Sequence, residues 1–276
     1  MFVERIAAFS EGNSGGNPAG VVICDTIPTA DIMQKVASDV GYSETVFAAK
    51  EGEFWRVRFF SPAFEVDFCG HATIALGAIL ATRFGNAVYP LKLNKAQIVV
   101  EGFSDGQNLS AALDSPQTHS AKISNEVFDE ALALFSLTKN ELNYELPPSL
   151  AHGGNDHLII AVSDRSVLSS MNYDIEQGAS FMRTNNFATL SLVYVESPQI
   201  FHTRNAFAIG GVFEDPATGS AAAALAGYLR DINWDHRGFI TIIQGEDMGA
   251  RSRIQVYLTD EVGSSVRVCG NARVMI

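Results

Sequence analysis

One stretch of this chain has no face to turn to water, and that limits the fold more than any other feature. Phe213 to Leu229 reads FEDPATGSAAAALAGYL. Its second part carries Ala at 221–224 and 226, then Leu225, Gly227, Tyr228 and Leu229. A helix apolar on every side must be enclosed by the rest of the fold. Thr218, Gly219 and Ser220 just ahead read as its capped start. Pro216 suits the approach, because it lacks the amide proton that a helix start leaves unpaired. Free amides and the positive dipole end then aim at whatever faces Asp215 to Ser220, which favours anions such as a carboxylate.

The same design occurs earlier. Phe68 to Phe84 reads FCGHATIALGAILATRF, a small-residue turn with His71 and Thr73 followed by Ile74 to Ala81, again apolar all round. Gly85 is the expected stop. Roughly 150 residues separate Gly70 from Gly219, close to one domain length and far beyond a solenoid period. Two similar halves are expected, each built on a buried helix, with both helix starts facing one shared cleft.

Around these helices the chain reads as short strands. Phe2 to Phe9, Val21 to Cys24, Gly41 to Phe47, Phe54 to Phe60, Gln97 to Glu101 and Asn108 to Leu113 belong to the first half. Leu158 to Val162, Leu190 to Val195, Ile200 to Arg204, Phe239 to Ile243, Ile254 to Leu258 and Ser265 to Val268 follow later. Ile32 to Val40 and Glu126 to Phe135 carry helical spacing. Ser10 to Gly20, dense in Gly and Asn, reads as a loop, and Ser115 to Lys122 as a linker. Gly153 to His157 (GGNDH) reads as a polar turn, with His157 a surface or turn residue and not a ligand. The expectation is an α+β fold of two domains, each a mostly antiparallel sheet or barrel wrapped on a central helix. They should run over 1–115, joined by a C-terminal strand at about 265–276, and 116–264.

Composition narrows the functions. The net charge is −12 and the basic residues form no stripe, which argues against nucleic acid and anionic membranes as partners. Three cysteines at unrelated spacings, Cys24, Cys69 and Cys269, give neither a disulfide framework nor a zinc site. Met1 to Phe9 includes Glu4 and Arg5 and does not read as a signal peptide, so a soluble cytoplasmic protein is expected. No GxGxxG after a strand, Walker A, HExxH or GxSxG pattern occurs, so nucleotide, metal and elbow-type hydrolase chemistry lose support. What remains is carboxylates, a His, a hydroxyl and two helix starts, equipment for moving protons on an anionic substrate.

Five motifs in order, GNPAGVV (Gly16 to Val22), YSETVF (Tyr42 to Phe47), FCGHATIALGA (Phe68 to Ala78), GVFEDPATGSA (Gly211 to Ala221) and QGEDMGARSRI (Gln244 to Ile254), resemble the phenazine-biosynthesis PhzF-like family, which shares its fold with diaminopimelate epimerase. The resemblance implies two similar domains with the active site in the cleft between them, a homodimer, and no metal or organic cofactor. Taken alone, Glu44 reads as an ordinary outward-facing strand residue. The resemblance makes it the acid/base that shuttles a proton between substrate carbons, with His71, Asp215 and Ser220 holding or polarising the substrate. Backbone amides at Gly70-His71 and Gly219-Ser220 would bind the substrate carboxylate. Asn17, Cys69, Thr73 and Thr218 complete the implied binding set.

Two departures bear on mechanism. Diaminopimelate epimerase uses one cysteine at each helix start; this chain has Cys69 at the first but only Pro216-Ala217-Thr218 near the second. A two-thiol racemisation is therefore disfavoured, while Cys69 paired with another acid stays open. CGNAR (Cys269 to Arg273) resembles that epimerase's cysteine motif, but too few residues follow it for a buried helix. It is expected in a terminal strand.

Overall fold

A computed structural model describes residues 1–275. The chain divides into two compact units, Met1–Asp114 together with the chain from Cys269, and Ser115–Val268. In the first unit the elements are β1 (Glu4–Ala8), β2 (Asn17–Cys24), α1 (Ala30–Val40), β3 (Glu44–Glu51), β4 (Phe54–Phe60), β5 (Glu65–Val66), α2 (Gly70–Phe84), β6 (Ala87–Lys92), β7 (Gln97–Ser104) and β8 (Leu109–Asp114). β1 runs antiparallel to β2, β2 parallel to β3, β3 antiparallel to β4, β4 parallel to β6, and β6–β7–β8 antiparallel. The strand Arg267–Val274 pairs with both β1 and β8 and so closes a barrel of eight.

The barrel exists to enclose α2. Every residue from His71 to Ala81 is buried, as an all-apolar helix requires. Two glycines bring the wall close to it. A Cβ on Gly102 of β7 would lie 2.1 Å from the Gly77 carbonyl oxygen, and one on Gly77 would lie 2.6 Å from Val100. The helix ends where expected, at Gly85 with φ 92°. α1 makes the crossover that a parallel β2–β3 pair demands, and packs Met33 and Ala37 on Val22, Phe47 and Phe60. Gly41, at φ 73°, turns the chain out of α1 toward β3.

The second unit contains β9 (His119–Lys122), α3 (Asn125–Phe135), β10 (Ser149–His152), β11 (Asp156–Val162), α4 (Arg165–Ser169), α5 (Ile175–Asn185), β12 (Thr189–Ser197), β13 (Ile200–Ala206), β14 (Glu214–Asp215), α6 (Gly219–Asp231), β15 (Phe239–Gln244) and β16 (Ser252–Tyr257). The strand Arg267–Val274 is then β17. From β10 the order of pairings is β11 antiparallel, β12 parallel, β13 antiparallel, β15 parallel, β16 antiparallel. That is the same succession as β1, β2, β3, β4, β6, β7. The repeat seen in two apolar helices is thus a repeat of topology. α6 is buried from Ala221 to Arg230. Gly153 lets the wall touch it: an added Cβ would lie 2.5 Å from the Ala224 nitrogen. On the outer side α3, α4 and α5 form a second core with β11 and β12, around Leu132, Phe135, Leu168, Met182, Leu190 and Leu192.

Several sequence expectations shift. Asn17 to Gly20 is strand, because β1 and β3 flank β2 and take up its backbone groups. His119–Lys122 pairs with β10, so only residues 115–118 of the expected linker lie outside a strand. β6 and the short α4 and α5 lacked a clear pattern in the sequence. CGNAR lies in β17, a terminal strand as expected. Among the described residues no helix is long and apolar enough to cross a membrane.

Candidate active site

In the first unit the start of β3 meets the start of α2. Glu44 is the first residue of β3, and Cys69 is the N-cap of α2. His71, in the first turn, lies against both. Its Nε2 is 3.4 Å from Glu44 Oε2, and its Nδ1 is 3.2 Å from Cys69 Sγ. Ser43 Oγ approaches Nε2 at 3.5 Å. The Glu44 side chain is 13% exposed and that of His71 6%, so the group is nearly dry but open on the carboxylate side. The amides of Gly70, His71 and Ala72 precede the first in-helix bond, Thr73 N to Cys69 O, and stay available to an anion.

Glu44, Cys69 and His71 also offer three metal-ligand atoms within 4.8 Å of one another. A metal must take one ring nitrogen. The sulfur is nearer Nδ1 (3.2 Å) than Nε2 (4.0 Å), whereas the carboxylate approaches Nε2. The ring therefore stands between two proton-handling groups, which is the layout of a relay more than of a chelate.

In the second unit the matching position is the start of α6, with Thr218 as N-cap. Glu214 and Asp215 are neighbours in a strand, so they point to opposite faces. Glu214 is spent on Arg204, 2.6 Å from Nη2. Burial raises its pKa, and the Arg204 hydrogen bond and charge oppose that shift. Asp215 instead accepts a 2.5 Å hydrogen bond from Thr218 Oγ1. Gln244, at the end of β15, ties the turn together: its Nε2 donates to Asp215 O and Thr218 Oγ1, and its Oε1 accepts from Thr218 N. Asn205 donates to the same Oε1. The Gly219, Ser220 and Ala221 amides have no in-helix acceptor, since the first helical bond is Ala222 N to Thr218 O.

The implied residues thus fall into two groups, Glu44, Cys69, Gly70 and His71 in one unit, and Asp215, Thr218, Gly219 and Ser220 in the other. Two further members are buried. Thr73 is fully buried and its hydroxyl is committed to Cys69 O at 2.7 Å, so it closes the helix turn and presents no hydroxyl to a ligand. Asn17 is 2% exposed and lies in β2 opposite Ala8. His157 corrects the sequence reading outright. It is 0% exposed, lies in β11, and its two ring nitrogens reach Thr189 Oγ1 and Ser220 Oγ. The turn ends at Asn155, two residues earlier than its polar sequence suggested, and the alternation of β11 puts His157 inside. Gln244 and Ser43 were passed over too, although both lie inside the quoted motifs.

The family model described as phenazine biosynthesis-like protein, PhzC-PhzF, matches residues 6–276. The chain belongs to this family. Its relatives include a Deinococcus radiodurans protein named an uncharacterized isomerase, 30% identical over 91% of this chain and 85% of the relative. Among solved structures, a Bacillus anthracis phenazine biosynthesis protein of the PhzF family superposes with TM-score 0.86 at 24% identity, covering 99% of this chain and 96% of that one. A probable proline racemase from Agrobacterium radiobacter shares the fold at TM-score 0.67 and 10% identity, over 99% of this chain and 90% of that one. The PhzF-type fold and the racemase fold are therefore one architecture, and this chain has it.

Proposed function

We propose that this PhzF-family isomerase moves a proton on a small carboxylate substrate, with Glu44 as the acid/base. What supports the reading most is the carboxylate of Glu44 held 3.4 Å from His71 Nε2 beside the open amides of α2. The Glu44 carboxylate takes the proton from a carbon next to the activated position, the electron pair shifts along the substrate, and Glu44 returns the proton to another carbon. His71 stabilises the charge that develops. Asp215 and Ser220 hold the substrate, whose carboxylate rests on helix-start amides. Both groups of residues act on one substrate molecule, without a metal or organic cofactor, in a homodimer.

A second reading has its own observation. Cys69 Sγ lies 3.2 Å from His71 Nδ1, a contact that suits a thiol acid/base working with another acid in an epimerase. Proton exchange into a panel of small amino and hydroxy acids in D₂O separates the two. Glu44→Gln should lower exchange by at least about a hundredfold, while Cys69→Ser leaves most of it. Exchange abolished by Cys69→Ser would transfer the role to the thiol. No deuterium in any acid of a broad panel would count against an enzyme and for a ligand-binding protein.

A further inference from the structure

The most telling group outside the implied site is His157, a histidine sealed between a strand hydroxyl and the α6 start. We infer that His157 is a positioning residue, fixed as the Nε2–H tautomer, that turns Ser220 into a hydrogen-bond donor toward a bound oxyanion.

The inference rests on hydrogen-bond accounting. His157 Nδ1 lies 2.7 Å from Thr189 Oγ1 and Nε2 lies 3.1 Å from Ser220 Oγ. A neutral imidazole has one donor and one acceptor nitrogen. Suppose Nδ1 carried the proton. Nδ1–H would donate to Thr189, and the Thr189 hydroxyl proton, in a residue 3% exposed, would have no acceptor. Buried hydroxyl protons are seldom left in that state. With the proton on Nε2 the accounts close. Thr189 O–H donates to Nδ1, Nε2–H donates to Ser220 Oγ, and the Ser220 proton is released to point elsewhere.

Ser220 is half-buried and lies in the first turn of α6, beside the Gly219, Ser220 and Ala221 amides that have no in-helix acceptor. The Ser220 hydroxyl and these three amides are then all donors, which favours a carboxylate or another oxyanion at the α6 start. The polarity is also insensitive to pH. Burial lowers the His157 pKa to about 3, while its neighbours Asp156 and His152 act in opposite senses. A donor set by a charged histidine would switch near neutrality; this one does not. The inference rests on the proposal that Ser220 meets the substrate carboxylate, but its main test needs no turnover.

Uniformly ¹⁵N-histidine-labelled wild-type protein should show one ring, removed by His157→Gln, with its proton on Nε2 and no change from about pH 5 to about pH 9. A proton on Nδ1, or an imidazolium in that range, overturns the inference. Acetate serves as the oxyanion probe, followed through the Gly219 to Ala221 amide resonances. His157→Leu should weaken its binding about tenfold, the worth of one hydrogen bond. His157→Gln, whose side-chain amide places a donor near the former Nε2, should restore binding to within about threefold. Equal acetate affinity in wild type and His157→Leu, or no acetate response in wild type, would overturn the donor role. Loss of exchange in Glu44→Gln leaves all of these results untouched, so the two claims fail separately.

Discussion

Cys69 and Thr218 hold the same post in their own units: each is the N-cap of a helix buried on all sides, and each is followed by a glycine and then a polar residue. Neither side chain caps its helix. Cys69 turns to His71, and Thr218 turns to Asp215. The thiol of one unit is thus matched by a hydroxyl backed by a carboxylate in the other. A hydroxyl is a far weaker acid than a thiol, so under the proposed function the second post would hold and orient the substrate and not exchange protons with carbon.

Thr218 therefore has a testable role. Thr218→Val keeps the shape but removes the donor to Asp215 Oδ2 and an acceptor for Gln244. Stability should fall by about 1–3 kcal/mol in urea, and proton exchange should fall with it, while Thr218→Ser recovers most of both. A Thr218→Val protein as stable as wild type would mean that the Asp215–Thr218 contact carries no weight.

The pH dependence of folding should report the sealed histidine. The His157 pKa is depressed from 6.5 to about 3. Its stabilising share is complete above pH 6.5 and is lost as pH falls toward 3, because the unfolded chain takes up a proton that the folded one refuses. The cost is about 1.4 kcal/mol per pH unit within that window. Urea midpoints at about pH 7 and about pH 5 should fall further for wild type than for His157→Gln; equal slopes would contradict the depressed value.

Arg204 neutralises a carboxylate that burial would otherwise protonate. Arg204→Met should destabilise by about 3–5 kcal/mol near neutrality, since it leaves Glu214 unpaired. Burial raises the Glu214 pKa, so the charge penalty grows as pH rises through the folded value and fades below it. The difference from wild type should shrink in acid, as measured by denaturation at about pH 4 and about pH 7. A penalty that stays constant with pH would point to lost packing instead.

The close approach of wall and helix predicts a steric result. Gly102→Ala drives a methyl to within 2.1 Å of the Gly77 carbonyl oxygen, where no flexible side chain can move aside. The cost should be about 1–3 kcal/mol or more by thermal denaturation. Gly106→Ala, at a site with open space but φ 90°, should cost only its backbone strain.

Much of this was legible before any coordinates. A helix with no polar face can only be enclosed, so Ile74–Ala81 and Ala221–Leu229 announced two cores, and their spacing announced two units. The alternation in Phe54–Phe60 gave β4 to the residue. His157 was misplaced because its neighbours Gly153, Gly154, Asn155 and Asp156 are turn formers, and local composition says nothing about a partner such as Thr189, which a parallel strand brings from 32 residues away. Gln244 escaped for the same reason: its contacts with Asp215 and Thr218 come from a strand pairing. The resemblance chose Asp215 over Glu214, but the physical reason, the pairing of Glu214 with Arg204 ten positions back, shows only in the β13 register.

The order of the strands along the chain sets a folding schedule. β17 is laid down at the very end of Ser115–Val268 and beyond it, yet it is the stave between β1 and β8. On the ribosome the first unit must wait, its α2 sheltered by an incomplete wall and two strand edges exposed, until the second unit has been made. A fragment cut after Asp114 is then a hoop left open, and it should clump with its own kind unless a separate peptide carrying β17 is supplied to shut it.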